Sequence, residues 1–405
     1  MPAAGVFALC QAVITCRQIR VLKEEHMGYI LSEEAQDLLK DVKDFCENEI
    51  KEQVKEFDKS GEWPAEIYEK MNEMQLLMMD VPEEYGGLGL DHTTEAALVE
   101  QIANADAGIG TTIMGNGLGI KAVMQAGTKE QIQQCCDLIM GGGFGAFALT
   151  EPDAGCDAAS GKTTAVKEGD EYVLNGRKCF ITNAPVADFF FVTAMTDKSK
   201  GTRGMSAFLV FKGTPGLSIG AHEDKMGIRC STTSDVVFED CRIPAANLLG
   251  EEGTGFKQAM QTLDLARSWC GVVATGISQR CIDESVAYCK QRVQFGRPIG
   301  KNQAIQFKIA DMQIRTEAAR QLVMHSINLA DEGLPFGSEA AAAKCFAGDT
   351  AMQNAIECVQ ILGGYGYSRD YPAEKLMRDA KIFQIFEGTN EVQRMVVGSK
   401  TIGKF

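Results

Sequence analysis

The chain has 405 residues, 45% of them hydrophobic, enough for a packed core spread over two or three domains. A formal net charge of −15 at pH 7 excludes the broad basic face that a nucleic-acid backbone requires, though not a local cationic pocket for an anionic ligand. No apolar run reaches the roughly 18 residues that span a bilayer, so no membrane-crossing helix is expected. The first 26 residues read as an extension, disordered or not native. Ala3 to Thr15 is mildly apolar, has no leading positive charge, and runs into Arg17, Arg20, Lys23, Glu24 and Glu25, which makes a poor signal peptide. Residues 27–145 read as an N-terminal helical domain. Ser32-Glu33-Glu34 opens it as an N-cap with an acidic first turn, followed by Leu38, Leu39, Val42, Phe45 and Ile50 at helical spacing. Trp63-Pro64 starts a second helix, Pro82 to Gly87 is a loop, and further helices cover Thr93 to Ala105 and Gly110 to Ala126.

Over residues 146–250 the texture changes to that of a small, mainly antiparallel β-domain. Lys167-Glu168-Gly169-Asp170 and Asn175-Gly176 signal turns, and Glu171–Leu174, Phe189–Ala194, Ser206–Phe211 and Asp235–Phe238 read as strands. Helix returns over 251–405, in periodic segments at Phe256–Arg292, Asn302–Glu332, Ser338–Leu362 and Tyr371–Ile382, which predicts a C-terminal four-helix bundle. The fold class is therefore α+β, mainly α. Fourteen cysteines are scattered without a CxxC pair, and Cys135-Cys136 are adjacent. That spacing points to reduced thiols in a cytoplasmic protein, with no metal site.

The candidate chemistry lies in separated runs. Glu387 stands between Ile385-Phe386 and Gly388 in the run from Arg378 to Arg394. Apolar neighbours raise a carboxyl's pKa toward neutrality, and glycine lets a ligand approach the backbone, which suits a proton-abstracting base. A glutamate on its own is more often a solvated surface group. Phe147-Ala148-Leu149-Thr150-Glu151-Pro152-Asp153-Ala154-Gly155-Cys156-Asp157 reads as a turn entering the β-domain, and Lys178-Cys179-Phe180-Ile181-Thr182-Asn183 as a strand. Lys225 to Asp235 is a turn before a strand and carries no expected catalytic role. Leu263-Asp264-Leu265-Ala266-Arg267 sets Asp264 and Arg267 three apart on a helix, the spacing of an ion pair worth roughly 0.2–0.5 kcal/mol. Arg292-Val293-Gln294-Phe295-Gly296-Arg297-Pro298-Ile299 with Asn302-Gln303, and Val359-Gln360-Ile361-Leu362-Gly363-Gly364, read separately as helix termini. No GxGxxG or Walker loop falls in a strand–turn–helix context.

In this order, and from about Glu33 onward, these runs resemble the acyl-CoA dehydrogenases. The resemblance implies FAD-dependent α,β-dehydrogenation of an acyl-CoA thioester, or the reverse reduction of an enoyl-CoA. Glu387 would abstract the α-proton and flavin N5 would take the β-hydride. It implies flavin contacts from Phe147, Leu149, Thr150, Phe180 and Thr182, and from Arg292, Phe295, Gln303, Gln360, Gly363 and Gly364 reaching the FAD of a neighbouring subunit, with Thr389 and Glu391 nearby. It assigns Cys156, Asp264, Arg267 and Gly388 to the thioester. The family usually has serine where this chain has Cys156, and a thiol donates only weakly. Some branches carry their base at the position of Ala266, which leaves Glu387 as the base here. The implied partners are an electron-transfer flavoprotein and further copies of the chain in a homotetramer, a dimer of dimers. A short acyl group is the leading expectation, from Gly108 to Met114 as the pocket helix with no arginine. An aryl group is the alternative, because the small residues of that helix could leave room. An oxygen-using flavin oxidase and a non-catalytic relative of the fold are further alternatives.

Overall fold

The computed structural model describes residues 29 and 31–403; the expectation for residues 1–26 lies outside them. The N-terminal helices are α1 (Glu33–Phe45), α2 (Lys51–Ser60), α3 (Ala65–Glu73), α4 (His92–Ala105), α5 (Ala107–Met124) and α6 (Lys129–Met140). Ser32 caps α1 as its sequence predicts, its hydroxyl accepting from the Ala35 N–H at 3.2 Å. The break between α4 and α5 is set by Asp106. Its backbone is extended, and its carboxylate accepts from the Ile109 N–H at 2.9 Å, ending one helix and capping the next. Helix α5 is buried over almost its whole circumference, which its glycine content and lack of acidic residues permit.

Seven strands follow: β1 (Phe144–Ala148), β2 (Thr164–Glu168), β3 (Glu171–Thr182), β4 (Ala187–Met195), β5 (Met205–Phe211), β6 (Leu217–His222) and β7 (Thr233–Pro244). They form one sheet in the order β1-β4-β2-β3-β7-β6, with β5 on β4. Most pairings are antiparallel, as expected, but β1 runs parallel to β4 and Thr164 bridges Met195 in the parallel sense. The C-terminal part contains α7 (Gly255–Gln291), a short hairpin of β8 (Val293–Gln294) and β9 (Arg297–Pro298), then α8 (Gln303–Asp331), α9 (Gly337–Leu362) and α10 (Ala373–Lys381). The four predicted helices are present, and a fifth, α11 (Asn390–Ile402), packs on α9. Thr389 starts it, its hydroxyl accepting from the Val392 N–H at 3.3 Å.

The parts are tied by buried charge. Lys375 on α10 donates to Asp106 at 2.6 Å, joining the last helices to the α4–α5 break. Asp379, one turn on, accepts from the Ile228 N–H at 2.6 Å. Ile228 has φ +47°, strained for a β-branched residue, so this bond holds an otherwise costly conformation. The run from Lys225 to Asp235 is thus a structural joint.

Candidate active site

Glu387 lies in the short loop between α10 and α11 with φ +55°, followed by Gly388 at φ +86°. A left-handed glutamate is strained backbone of the kind that persists only where its surroundings fix it. The fixing groups are visible. Gln393 Nε2 donates to the carbonyls of both Glu387 and Gly388 at 3.0 Å. Lys344 Nζ, fully buried in α9, donates to the Gly388 carbonyl at 2.7 Å and to Asn390 Oδ1 at 3.0 Å. The residue is half-buried, yet its Oε2 is closed off from solvent and has no hydrogen-bond partner among the described residues. Burial pushes its carboxyl above the ordinary glutamate value, against the pull of Lys344 and Arg267. Phe386 packs edge-on against Phe383 at 4.9 Å and gives one side of this apolar setting.

Helix α7 supplies the facing wall. Arg267 is 9% exposed and bonds Asp264 at 2.5 Å, while its Nε has no partner. The expected ion pair is real, but its arginine is buried, not on the surface. Burial raises the Asp264 carboxyl, against Arg267. Ala266, Leu265 and Trp269 line a cavity with Ile113 and Met114 of the expected pocket helix. The two glycines of that segment sit in close contacts. A Cβ on Gly108 would meet Asp106 Oδ1 at 2.9 Å and the Cys230 backbone nitrogen at 3.1 Å, and on Gly110 Ala103 Cβ at 3.0 Å. These two glycines serve close packing.

The β-domain brings a second set to the seam with α5. Leu149 follows β1, with its carbonyl accepting from Lys178 Nζ at 3.1 Å, and the Thr150 carbonyl accepts from the Cys179 N–H at 2.9 Å. Lys178 is itself buried and paired with Glu151 at 2.8 Å, so the turn between strands is held from inside. Thr182 ends β3 against α5, while Phe180 projects outward, 67% exposed at φ +56°. Phe147 differs: it stacks on Phe191 at 5.1 Å and belongs to the packing of the sheet. Cys156 is exposed on the loop after β1.

A third set lies apart. Arg292, at the end of α7, shares an open cleft of about 600 Å³ with Gly363, Gly364 and Tyr365. Its guanidinium stands 5.4 Å from the Tyr365 ring centroid. A Cβ on Gly363 or Gly364 would meet nothing within 4 Å, so backbone is presented to open space. Phe295 is fully exposed at the tip of the β8–β9 hairpin, where it and Gly296 both have positive φ. Gln303 and Gln360 are exposed, as is Glu391 at the start of α11. Glu387 is not among the residues lining this cleft. An arginine beside Tyr365 and bare glycine backbone lining an open cleft fit the edge of a large planar, phosphate-bearing ligand.

Lys344 and Gln393 escaped the sequence reading. Lys344 had a signal, a single lysine in the stripe Ala340-Ala341-Ala342-Ala343-Lys344 on a helix, where burial calls for a specific partner. Gln393 had none.

Three family models match the chain: the acyl-CoA dehydrogenase N-terminal domain over residues 32–142, the middle domain over 146–241 and the C-terminal domain over 253–402. A short-chain specific acyl-CoA dehydrogenase of Megasphaera elsdenii is 46% identical over 378 residues, 92% of this chain and 99% of its own. An acryloyl-CoA reductase (NADH) of Anaerotignum propionicum is 43% identical over 389 residues, 95% of this chain and 99% of its own. Among solved structures, one described as the electron transferring flavoprotein of Acidaminococcus fermentans contains a chain 46% identical, with TM-score 0.90 over 93% of this chain and 99% of that one. An acyl-CoA dehydrogenase from Bacillus anthracis complexed with FAD is 35% identical, with TM-score 0.84 over 94% of this chain and 70% of that one. The three matched domains together span most of the described chain, and with these identities they show that this chain belongs to the acyl-CoA dehydrogenase family of FAD-dependent oxidoreductases.

Proposed function

We propose that this chain interconverts a short-chain acyl-CoA and its α,β-enoyl-CoA, with Glu387 as the base that removes the α-proton. The observation that carries this reading is the Glu387 carboxyl, whose Oε2 is closed off from solvent without a hydrogen-bond partner among the described residues and whose pKa is raised by burial. The similar short-chain dehydrogenase and acryloyl-CoA reductase support the substrate class. In the dehydrogenation direction the Cα–H bond breaks with its proton passing to a Glu387 carboxylate oxygen. FAD, when bound, supplies the acceptor for the hydride that leaves Cβ. Leu149, Thr150, Phe180 and Thr182 would hold one side of it, and Arg292, Phe295, Gly363 and Gly364 of a neighbouring copy would hold its phosphates and far edge.

The α-proton is weakly acidic, so charge developing on the thioester oxygen needs a preorganised donor. The Glu387 N–H is the donor assigned to that oxygen, in a loop whose carbonyls are fixed by Lys344 and Gln393. Such a donor contributes about 3–4 kcal/mol to the transition state. Arg267 and Asp264 line the path of the coenzyme A moiety, with Gly388 beside the thioester. Electrons are exchanged with an electron-transfer flavoprotein, a partner class supported by the similar chain in the Acidaminococcus fermentans structure. The neighbouring copy that completes the site implies at least a dimer, assembled as a dimer of dimers.

The test is an anaerobic visible spectrum of the purified flavoprotein titrated with butyryl-CoA and then with phenylpropionyl-CoA. Bleaching by butyryl-CoA alone is the expected result. Bleaching by phenylpropionyl-CoA alone would overturn the short-chain assignment, and bleaching by neither would overturn the dehydrogenation reading.

A further inference from the structure

The cavity against α7 is not lined by hydrocarbon alone. It is narrow, about 10 Å³, and its apolar lining includes Ile113, Met114 and Leu265. The same cavity is lined by Asp80, Glu95, Lys121 and Trp269. Lys121 pairs with Asp80, donates to Glu95 Oε1 at 3.1 Å, and stands 4.4 Å from the Trp269 ring centroid. The three charged side chains are only 12%, 7% and 4% exposed for Lys121, Asp80 and Glu95. Gly117 makes their approach possible, since a Cβ there would sit 2.3 Å from Asp80 Oδ2.

Three buried ionisable groups at an apolar cavity cost desolvation that three aliphatic side chains would avoid. A second observation points the same way. Trp269 is 5% exposed, and its indole Nε1 has no hydrogen-bond partner among the described residues. An unpaired buried donor beside a polar cluster calls for an acceptor that a ligand can bring.

The charge state narrows the ligand. Burial and the neighbouring Asp80 push the Glu95 carboxyl well above its ordinary value, so its ionisation is opposed. Burial opposes ionisation of Asp80 and Lys121, but each holds the other charged. Lys121 is the one cation among these three groups, and it is already matched by Asp80 with Glu95 beside it. A substrate carboxylate would enter it without a counter-charge, whereas a hydroxyl can accept from one member and donate to another.

We propose that Lys121, Asp80, Glu95 and Trp269 form a specificity subsite that selects an acyl group with an uncharged hydrogen-bonding oxygen, such as a hydroxyl, at its far end over a plain hydrocarbon tail. The subsite rests on the acyl-CoA reading of the previous section and names the chemistry of the acyl end.

The test is calorimetric binding to the FAD-loaded protein, which reads the subsite without turnover. Butyryl-, pentanoyl- and hexanoyl-CoA are compared with their ω-hydroxy counterparts and with glutaryl-CoA. The expected result is a dissociation constant at least about tenfold lower for the hydroxylated member at one chain length. Trp269→Phe, which keeps a ring and removes the N–H, should shrink that preference to under about threefold, as should the charge-balanced Lys121→Met/Asp80→Asn double variant. Equal binding of each pair at every length would overturn this inference alone. So would a preference unchanged in both variants, or tighter binding of glutaryl-CoA than of any hydroxylated thioester. Absence of binding by all the thioesters would overturn both this inference and the reading it rests on.

Discussion

Lys344 reaches from the first third of α9 to the carbonyl oxygen of Gly388 at 2.7 Å, tying a bundle helix to the residue after the proposed base. Burial lowers the Lys344 pKa, and the field of Glu387 is among the influences that raise it again. The two groups therefore act on one another as well as on the loop. Replacing Lys344 with Met should leave the Gly388 carbonyl and Asn390 Oδ1 without this donor, costing roughly 1–3 kcal/mol of stability. It should also raise the pKa that governs base function, because a positive charge near Glu387 is lost. The check is a thermal melt together with a pH profile of kcat/KM: the basic shift must accompany the lower melting temperature. A lower melting temperature with an unmoved profile would mean that Lys344 supports the loop only.

Glu387→Gln retains the side-chain volume and removes the proton acceptor. Turnover should fall roughly 10²–10⁴-fold, while flavin content and thioester binding persist. Rapid-mixing flavin reduction with butyryl-CoA, alongside calorimetric binding of the same thioester, separates these effects. Undiminished reduction would remove Glu387 from the chemistry.

The raised pKa of Glu387 has a sign that can be followed through to stability. A carboxyl whose folded pKa lies above its unfolded value favours the folded state fully at pH below the unfolded pKa. That contribution is lost as pH rises through the folded pKa. The base must be ionised to work, so kcat/KM should rise with pH through the same interval in which its ionisation destabilises the fold. Glu387→Gln lacks this titration. Its melting temperature relative to wild type should increase as pH rises from below the ordinary glutamate pKa, and level off once the raised carboxyl has ionised. A difference that stays constant with pH would show that burial does not perturb this carboxyl.

Much of this was legible in the sequence because it was periodic or punctuated. The Ser32 cap, the four long C-terminal segments and the turn residues of the β-domain all act within a few residues of themselves. What was not legible depended on distant partners. The pairing of β1 with β4 is parallel and spans some forty residues, so no local turn announces it. The fifth bundle helix, α11, begins only three residues after Glu387, where strained backbone hides the periodicity. Gly108 and Gly110 of the pocket helix looked like open space in sequence, yet Asp106, the Cys230 backbone and Ala103 crowd them. Lys121 went unremarked for the same reason: its partners, Asp80 and Glu95, lie 41 and 26 residues earlier.

The separation of Arg292 from Glu387 gives the most discriminating prediction. Within one chain the cleft of Arg292 is not lined by Glu387, so the two are proposed to meet only across an interface between copies. Arg292→Met should weaken FAD retention by roughly 10–100-fold through loss of a charge-assisted phosphate contact. It should spare the melting temperature of the apoprotein, because Arg292 is only partly buried at a helix end. Assayed at limiting FAD, Arg292→Met and Glu387→Gln should each be nearly inactive alone. Co-expressed in equal amounts, they should recover about a quarter of wild-type activity. Half of the dimers pair one of each, and one of their two sites then has Glu387 from one chain and Arg292 from the other. If Arg292 instead served the site of its own chain, every site in the mixture would carry one defect, and co-expression would recover nothing.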